Sequence, residues 1–367
     1  MTPYVPDELP LTCLDVGRLI KKVGTANAAI ARYDGLLQSV VNPSVMLSPL
    51  TQREAVLSSR IEGTQATVDE VLEYEAGIEF DPEKTNDIKE VVNYRKTLTL
   101  ASESLTHRSI SLSLIKQMHA ILMDSVRGAE KSPGQFRIEQ NWIGASDSTI
   151  ETAKFVPPDP LQLPNHLEAF ERYLSGDDID TLIQCAVMHA QFEILHPFKD
   201  GNGRIGRSLI PLFLYQKRTL ASPMFYLSEF LEEHREPYYQ RLRAIGSDGG
   251  WTAWVEFFLE AIEQQALANT NRVKGILGLY NEMKKRVSEI THSQYSPAIL
   301  DAIFHRPIFQ TTDFVVRTEI PKPTAATVLK KLKDAGILVT VHEASGSRPA
   351  VLAFVELVNQ AEGRKVF

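Results

Sequence analysis

Between residues 179 and 195 the chain carries apolar side chains on nearly every side of a helix: Leu182, Ile183, Cys185, Ala186, Val187, Phe192 and Ile194. A helix that is apolar all round has no face to give to water, so the other elements must wrap around it. The segment therefore predicts a helical core with residues 179–195 at its centre. It ends at His196-Pro197, and a second helical run begins at Arg204 and continues to Lys217. The residues from His196 to Arg207 thus form a short connection held between two core helices.

The remaining pattern is consistent with such a core. Apolar residues make up 43% of a 367-residue chain, enough for two or three packed units and too much for a disordered chain. Helical periodicity covers residues 19–37, with Gly35 near the expected end, and residues 50–61, with Gly63 placed as a left-handed stop. Thr67 and Glu70 make a capping box for a third helix. Residues 86–105, 111–122, 167–174 and 251–268 complete the helical set. Between Ser132 and Pro164 the period is lost; Gly134, Gly144 and Pro157-Pro158-Asp159-Pro160 punctuate a segment that reads as a short β-hairpin or flap.

The last 90 or so residues read as a separate unit. Helices are expected at 297–304, from 311, and at 323–332, the last closed by Gly336. Strands at 337–341 and 351–355 flank a Gly346-Ser347 turn. Three helices followed by a hairpin is the winged helix-turn-helix pattern. The expected domains are a helical region at 1–105, a core with its flap at 106–275, and the winged helix at 276–367.

Net charge is −7, which excludes a protein that coats nucleic acid over its whole surface. From Glu282 onward there are 12 Lys and Arg against 9 Asp and Glu, a local +3 that leaves −10 for the rest. No run approaches the ~20 apolar residues needed to span a membrane, and residues 1–7 lack the features of a secretory signal. Cys13 and Cys185 lie far apart without metal-ligand neighbours and are expected as buried free thiols. A cytoplasmic protein is expected.

The 196–207 loop, His196-Pro197-Phe198-Lys199-Asp200-Gly201-Asn202-Gly203-Arg204-Ile205-Gly206-Arg207, offers what a nucleoside triphosphate requires. Gly201 and Gly203 permit backbone turns that point successive N–H groups inward at a helix N-terminus, making an anion nest. Arg204 and Arg207, three apart, share one face and can fork onto phosphate oxygens. Asp200 can hold Mg²⁺, which favours one or two carboxylates plus phosphate oxygens. His196, at the loop's entrance, is placed to take a proton from an incoming hydroxyl.

This loop resembles the signature of the Fic (Fido) family, His-x-Phe-x-Asp/Glu-Gly-Asn-Gly/Lys-Arg-x-x-Arg, at every position. The resemblance implies an all-α Fic core that moves AMP from ATP onto a Ser, Thr or Tyr hydroxyl of a target protein or of itself. It implies His196 as general base and Asp200 as the Mg²⁺ ligand. Asn202, Arg204, Arg207 and the backbone from Gly201 through Gly203, Ile205 and Gly206 would then hold the phosphates. Upstream, Ser58-Ser59-Arg60-Ile61-Glu62-Gly63 resembles the family's inhibitory pattern, Ser/Thr-x-x-x-Glu-Gly/Asn, in the class whose inhibitory helix precedes the core. A Glu62 carboxylate paired with Arg207 would take the guanidinium meant for the γ-phosphate and misplace the α-phosphate.

The run Thr152-Ala153-Lys154-Phe155-Val156-Pro157-Pro158 is similar to the family's flap, which covers the nucleotide and pairs with the target as an added strand. Near Tyr238-Tyr239 the chain again resembles the family, which implies Tyr239 as the tyrosine beside the adenine. Some members have Asn-Glu-Gly-Asp where this chain has Gly246-Ser247-Asp248-Gly249. The resemblance spans about residues 10–275, often accompanies a winged helix, and admits a homodimer.

Other readings compete. His189, Glu193 and His196 share a helix face at zinc-ligand spacing, yet His196 is better used as a base, and His189 reads as a hydrogen-bonded core residue. Phe225, Tyr226 and Phe230 read as core packing. Lys330, Lys331 and Lys333 fit either DNA phosphates or a solvated face equally well. The functional alternatives are a DNA-binding regulator with a nucleotide-sensing Fic core, and removal of AMP by the same site with Glu62 orienting a water.

Overall fold

The computed structural model describes residues 2–126, 130–144, 148–246, 250–345 and 348–366. Along the chain run α1 (Val16–Gln38), α2 (Pro43–Met46), α3 (Ser48–Ile61), α4 (Val68–Glu75), α5 (Pro82–Ser104) and α6 (Leu112–Leu122). After the flap come α7 (Leu163–Ser175), α8 (Thr181–Leu195), α9 (Asn202–Gln216), α10 (Ser228–Glu233), α11 (Arg235–Arg243) and α12 (Gly250–Thr291). The C-terminal stretch holds α13 (Ser296–His305), β1 (Ile308–Gln310), α14 (Thr311–Thr318), α15 (Lys322–Asp334), β2 (Val339–His342), β3 (Val351–Ala353) and α16 (Val355–Glu362). The protein is predominantly helical, as expected.

Two compact units emerge: residues 1–34, 57–64 and 92–267 form the first, and residues 35–56, 65–91 and 268–367 the second. The first is organised around α8, of whose 15 residues all but Thr181 and Glu193 are buried. Asp180 caps α8 by accepting from the N–H groups of Leu182 (2.8 Å) and Ile183 (3.2 Å), an arrangement that contributes about 1 kcal/mol. Truncating a core leucine such as Leu182 is expected to cost about 2–5 kcal/mol. Trp254 packs fully buried and donates from its indole N–H to the Ala186 carbonyl at 2.8 Å. Phe225, Tyr226 and Phe230 are buried core residues.

The second unit contains a three-stranded antiparallel sheet in the order β1-β3-β2. Ile308 pairs with Ala353 and Phe309 with Leu352; on the other side Val339 pairs with Ala353. The Thr67–Glu70 capping box forms in full, with the Thr67 N–H donating to Glu70 Oε2 at 2.8 Å.

Several expectations change. The helix from Gly250 runs for 42 residues without a break, so it passes through position 275. Strand β1 and helices α2, α10, α11 and α16 have no counterpart in the sequence reading; β3 ends at Ala353 because α16 begins at Val355. Among the described residues of the 132–164 segment no strand pairing beyond one bridge, between Ile143 and Phe155, is formed. Both cysteines are free, but Cys13 is exposed rather than buried. The Gly346-Ser347 turn, and Ser247, Asp248 and Gly249, lie outside the described residues. No described helix is long and apolar enough to cross a membrane.

Candidate active site

The site grows from the junction of α8 and α9. His196 ends α8 in the left-handed region, φ 44° and ψ 59°, a conformation uncommon for a residue with a side chain. Gly201, φ 73°, is the N-cap of α9. The first intrahelical bond of α9 runs from the Ile205 N–H to the Gly201 carbonyl, so the N–H groups of Asn202, Gly203 and Arg204 precede the helical ladder and form the positive end of its dipole. The Asn202 side chain turns back on the loop: its Oδ1 accepts from the Phe198 N–H (2.8 Å) and its Nδ2 donates to the Phe198 carbonyl (2.9 Å). Asn202 thereby fixes the loop's shape with both ends of its amide.

Glu62 lies against this helix end. The N–H of Thr64 donates to the Ser59 carbonyl, and that of Gly63, φ 103°, to the Arg60 carbonyl. These two bonds are a Schellman motif, which makes Gly63 the left-handed residue and Glu62 the C-cap of α3. Glu62 Oε1 accepts from Arg207 Nη2 at 2.7 Å, while Ser58 accepts from the same guanidinium through Oγ (from Nε, 2.9 Å) and its carbonyl (from Nη2, 2.9 Å). Arg207 is 2% exposed and Glu62 34%. A Cβ on Gly203 would overlap Glu62 Oε1, so the carboxylate rests directly over the loop backbone. Burial would raise the Glu62 pKa, but the Arg207 charge and hydrogen bond, with Arg204 and His196 behind them, hold it below the usual range.

Glu62, His196, Gly203, Arg207, Lys154, Phe155 and Tyr239 line one cavity of about 520 Å³. Burial pushes His196 down to about 4, against the pull of Glu62, which leaves a neutral imidazole at pH 7. Glu193 lines the same cavity, with a buried Oε1 close to Gly206; burial, reinforced by Glu62 and opposed by Arg207, raises it to about 7. His189 is instead core, bonded to the Gly206 carbonyl (3.1 Å) and the Tyr238 hydroxyl (2.9 Å).

The other expected residues lie off this cavity. Asp200 and the buried Arg204, 3.8 Å apart, are not among its lining residues, and Arg204 also reaches Met123 Sδ. Ser58, Gly63, Gly201, Asn202, Ile205 and Gly206 do not line it; nor do Thr152, which closes a turn with Thr149, or the buried Ala153. Lys154 and Phe155 both donate from their N–H groups to the Ile143 carbonyl, at 2.8 and 3.1 Å.

Asp200 fits a cation. Its Oδ2 is 3.0 Å from the Lys131 ammonium and its Oδ1 accepts from the Gly201 N–H at 2.6 Å. Burial works against its ionisation, but Lys131, Arg204 and that N–H keep the carboxyl below the usual range. Among the described residues no three His, Cys, Asp or Glu side chains converge, so a metal here would depend on oxygens of the nucleotide.

Two residues that brace the loop were not foreseen. His119, near the end of α6, stacks on Phe198 at 3.7 Å. Its Nδ1 accepts from the Gly134 N–H (2.8 Å), so its Nε2–H donates to the Asp200 carbonyl (3.0 Å). Burial lowers it to about 4. Arg137 is buried beside His196 and bonds its carbonyl. Neither stands in a run of sequence that marks it, and only the fold brings them to the loop.

Comparison with known proteins agrees with this geometry. The Fic/DOC family N-terminal model matches residues 20–103 and the Fic/DOC family model matches residues 109–214. The chain belongs to the Fic/DOC family. A probable protein adenylyltransferase of Aquifex aeolicus is 26% identical over 273 residues, covering 71% of this chain and 75% of that protein. A protein adenylyltransferase Fic of Drosophila erecta is 26% identical over 194 residues, 52% of this chain, but this chain spans only 36% of the fly protein's length. In fold, the chain resembles a Fic family protein from Desulfovibrio desulfuricans (TM-score 0.58, 19% identity, 96% of this chain and 98% of that one). It also resembles Fic-1 from C. elegans (TM-score 0.52, 18% identity, 72% and 74%). The Fic model thus covers α8, the loop and most of α9.

Proposed function

We propose that this Fic protein transfers AMP from ATP to a Ser, Thr or Tyr hydroxyl of a target protein, and of itself, with Glu62 as an internal brake. The observation that carries the reading is the Glu62–Arg207 pair lying over Gly203 in the cavity that also holds His196. The naming of relatives from Aquifex aeolicus and Drosophila as protein adenylyltransferases supports it.

In this mechanism the neutral His196 imidazole accepts the proton of the acceptor hydroxyl. The hydroxyl oxygen forms a bond to the α-phosphorus as the bond from that phosphorus to the β-bridging oxygen breaks, and diphosphate leaves. The N–H groups at the start of α9 and the guanidinium of Arg207 stabilise the phosphate charge in a site already built for it. Asn202 keeps those N–H groups in place by bracing Phe198. Asp200 would hold Mg²⁺, which when bound neutralises phosphate charge. With Glu62 seated, Arg207 and the space over Gly203 are occupied by a carboxylate, and ATP is held with its α-phosphate out of line.

The arrangement from α13 to β3 has the element order of a winged helix, and Lys330 and Lys333 on α15 are exposed. Lys331 is engaged, donating to the Thr291 carbonyl at 3.1 Å, and Arg348 pairs with Glu79 at 3.0 Å. On α15 a DNA contact would thus fall on the exposed Lys322, Lys330 and Lys333.

The test is to supply the Glu62→Gly protein with ATP labelled at the α- or the γ-phosphate, and with a lysate as acceptor. AMP transfer predicts covalent label from the α-position only. Label from the γ-position would make the protein a phosphotransferase instead.

A further inference from the structure

Arg137 is 3% exposed, and every hydrogen bond described for its guanidinium goes to a backbone carbonyl. Nε donates to His196 (3.0 Å), Nη1 to Glu139 (3.2 Å), and Nη2 to Pro158 (2.6 Å) and Leu195 (3.4 Å). Its own N–H donates to the Pro197 carbonyl at 2.8 Å. Burying a guanidinium without a hydrogen-bonded carboxylate carries a desolvation cost that an apolar side chain would avoid. That cost makes sense if the residue sets geometry.

The carbonyls it gathers come from three stretches. Leu195 and His196 end α8; Glu139 lies on the outgoing leg of the flap; Pro158 lies on its returning leg. The returning leg is otherwise tied to the outgoing one by the bridge between Ile143 and Phe155 and by Gln140, whose Nε2 donates to the Pro157 carbonyl at 2.9 Å. His196 meanwhile holds a left-handed backbone, φ 44°, which persists only where its surroundings over-determine it. Arg137 bonds the carbonyl of that very residue and, through its N–H, the carbonyl of the next.

We propose that Arg137 is a positioning residue that joins the His196 peptide to both legs of the flap, so that the base is aimed at the hydroxyl of an acceptor seated on the flap. This rests on the AMP-transfer reading above. A planar fork reaching carbonyls in several directions is something a lysine ammonium does not reproduce. The Arg137 charge also opposes protonation of His196, alongside burial and against Glu62 and Asp200.

The test compares Arg137→Lys and Arg137→Met, each in the Glu62→Gly background, with the Glu62→Gly parent. Positioning predicts that kcat for acceptor labelling falls by about 10²-fold, the effect of a misplacement near 1 Å, while the KM for ATP changes little. The lysine variant should not recover the arginine rate. In Arg137→Met the His196 imidazole, followed by NMR, should titrate at higher pH than in the parent. A variant that fails to fold is replaced by Arg137→Gly, in which added guanidinium should raise kcat. Unchanged kcat together with an unmoved His196 titration would overturn the proposal, as would a loss confined to KM for ATP. If the parent itself takes no label, AMP transfer is what has failed, and the His196 titration alone then decides the role of Arg137.

Discussion

The 196–207 loop and the flap line the same cavity, yet they are held in different ways. The loop is fixed from within: Asn202 bonds Phe198 twice, Asp200 bonds the Gly201 N–H, and two left-handed residues, His196 and Gly201, set its turns. Among its described residues the flap has one bridge, and side chains such as Arg137 and Gln140 hold its legs. Under the proposed AMP transfer, a segment whose shape is written into its own residues would bind what every reaction shares, the phosphates. A segment shaped by distant anchors would leave backbone for partners of differing sequence.

Substitutions can break that contrast. The largest effect is expected on the loop's base: His196→Ala in the Glu62→Gly background should lower AMP transfer by about 10²–10⁴-fold, the usual contribution of a positioned proton acceptor, while calorimetry still detects ATP binding. Next comes the loop's external support. His119→Phe keeps the stack on Phe198 but strands the Asp200 carbonyl and the Gly134 N–H, each at about 1–3 kcal/mol; urea unfolding should register the loss, and transfer should fall with it. The smallest effect is expected on the flap. Lys154→Pro removes an N–H bonded to Ile143, worth about 0.5–1.5 kcal/mol, and should lower labelling of target proteins several-fold while ATP binding is retained.

Acidity tests the buried histidines that flank the loop. Burial lowers His119 and His196 to about 4 and His189 to about 3, from an ordinary 6.5. In the window between those values and 6.5 the unfolded chain binds protons that the folded one does not, so stability rises with pH there and is lost on acidification. The melting temperature should therefore drop as pH falls from 6.5 toward 4, and less steeply in His119→Phe than in the parent.

The loop and the 58–63 pattern were legible because each is a short run of sequence: Gly63 and Gly201 hold left-handed turns and α8 announces its burial in composition, whereas the pairing of Glu62 with Arg207 across 145 positions came only with the family resemblance. The sequence also revealed the Thr67–Glu70 cap, a contact three residues long. What it hid depends on distance. His119 and Arg137 act on carbonyls roughly 60 to 80 positions away, and a bond to a carbonyl leaves no mark on the residue type of its partner. Glu193 entered the sequence reading only in a trio at zinc-ligand spacing, and only packing shows that it lines the same cavity as Arg207. Helix α12 outran its expected end because its second half packs within another unit than its first.

The most direct measurement of the Glu62 brake is the initial rate of AMP incorporation from α-phosphate-labelled ATP with Mg²⁺, in the wild-type protein and in Glu62→Gly at matched ATP occupancy. Release of Arg207 and of the space over Gly203 predicts a rate about 10²-fold higher in Glu62→Gly, the scale of an α-phosphate brought back into line, and a fall of about 10²–10⁴-fold from that rate once His196→Ala is added. Equal rates in the two proteins, with ATP bound in both, would contradict it.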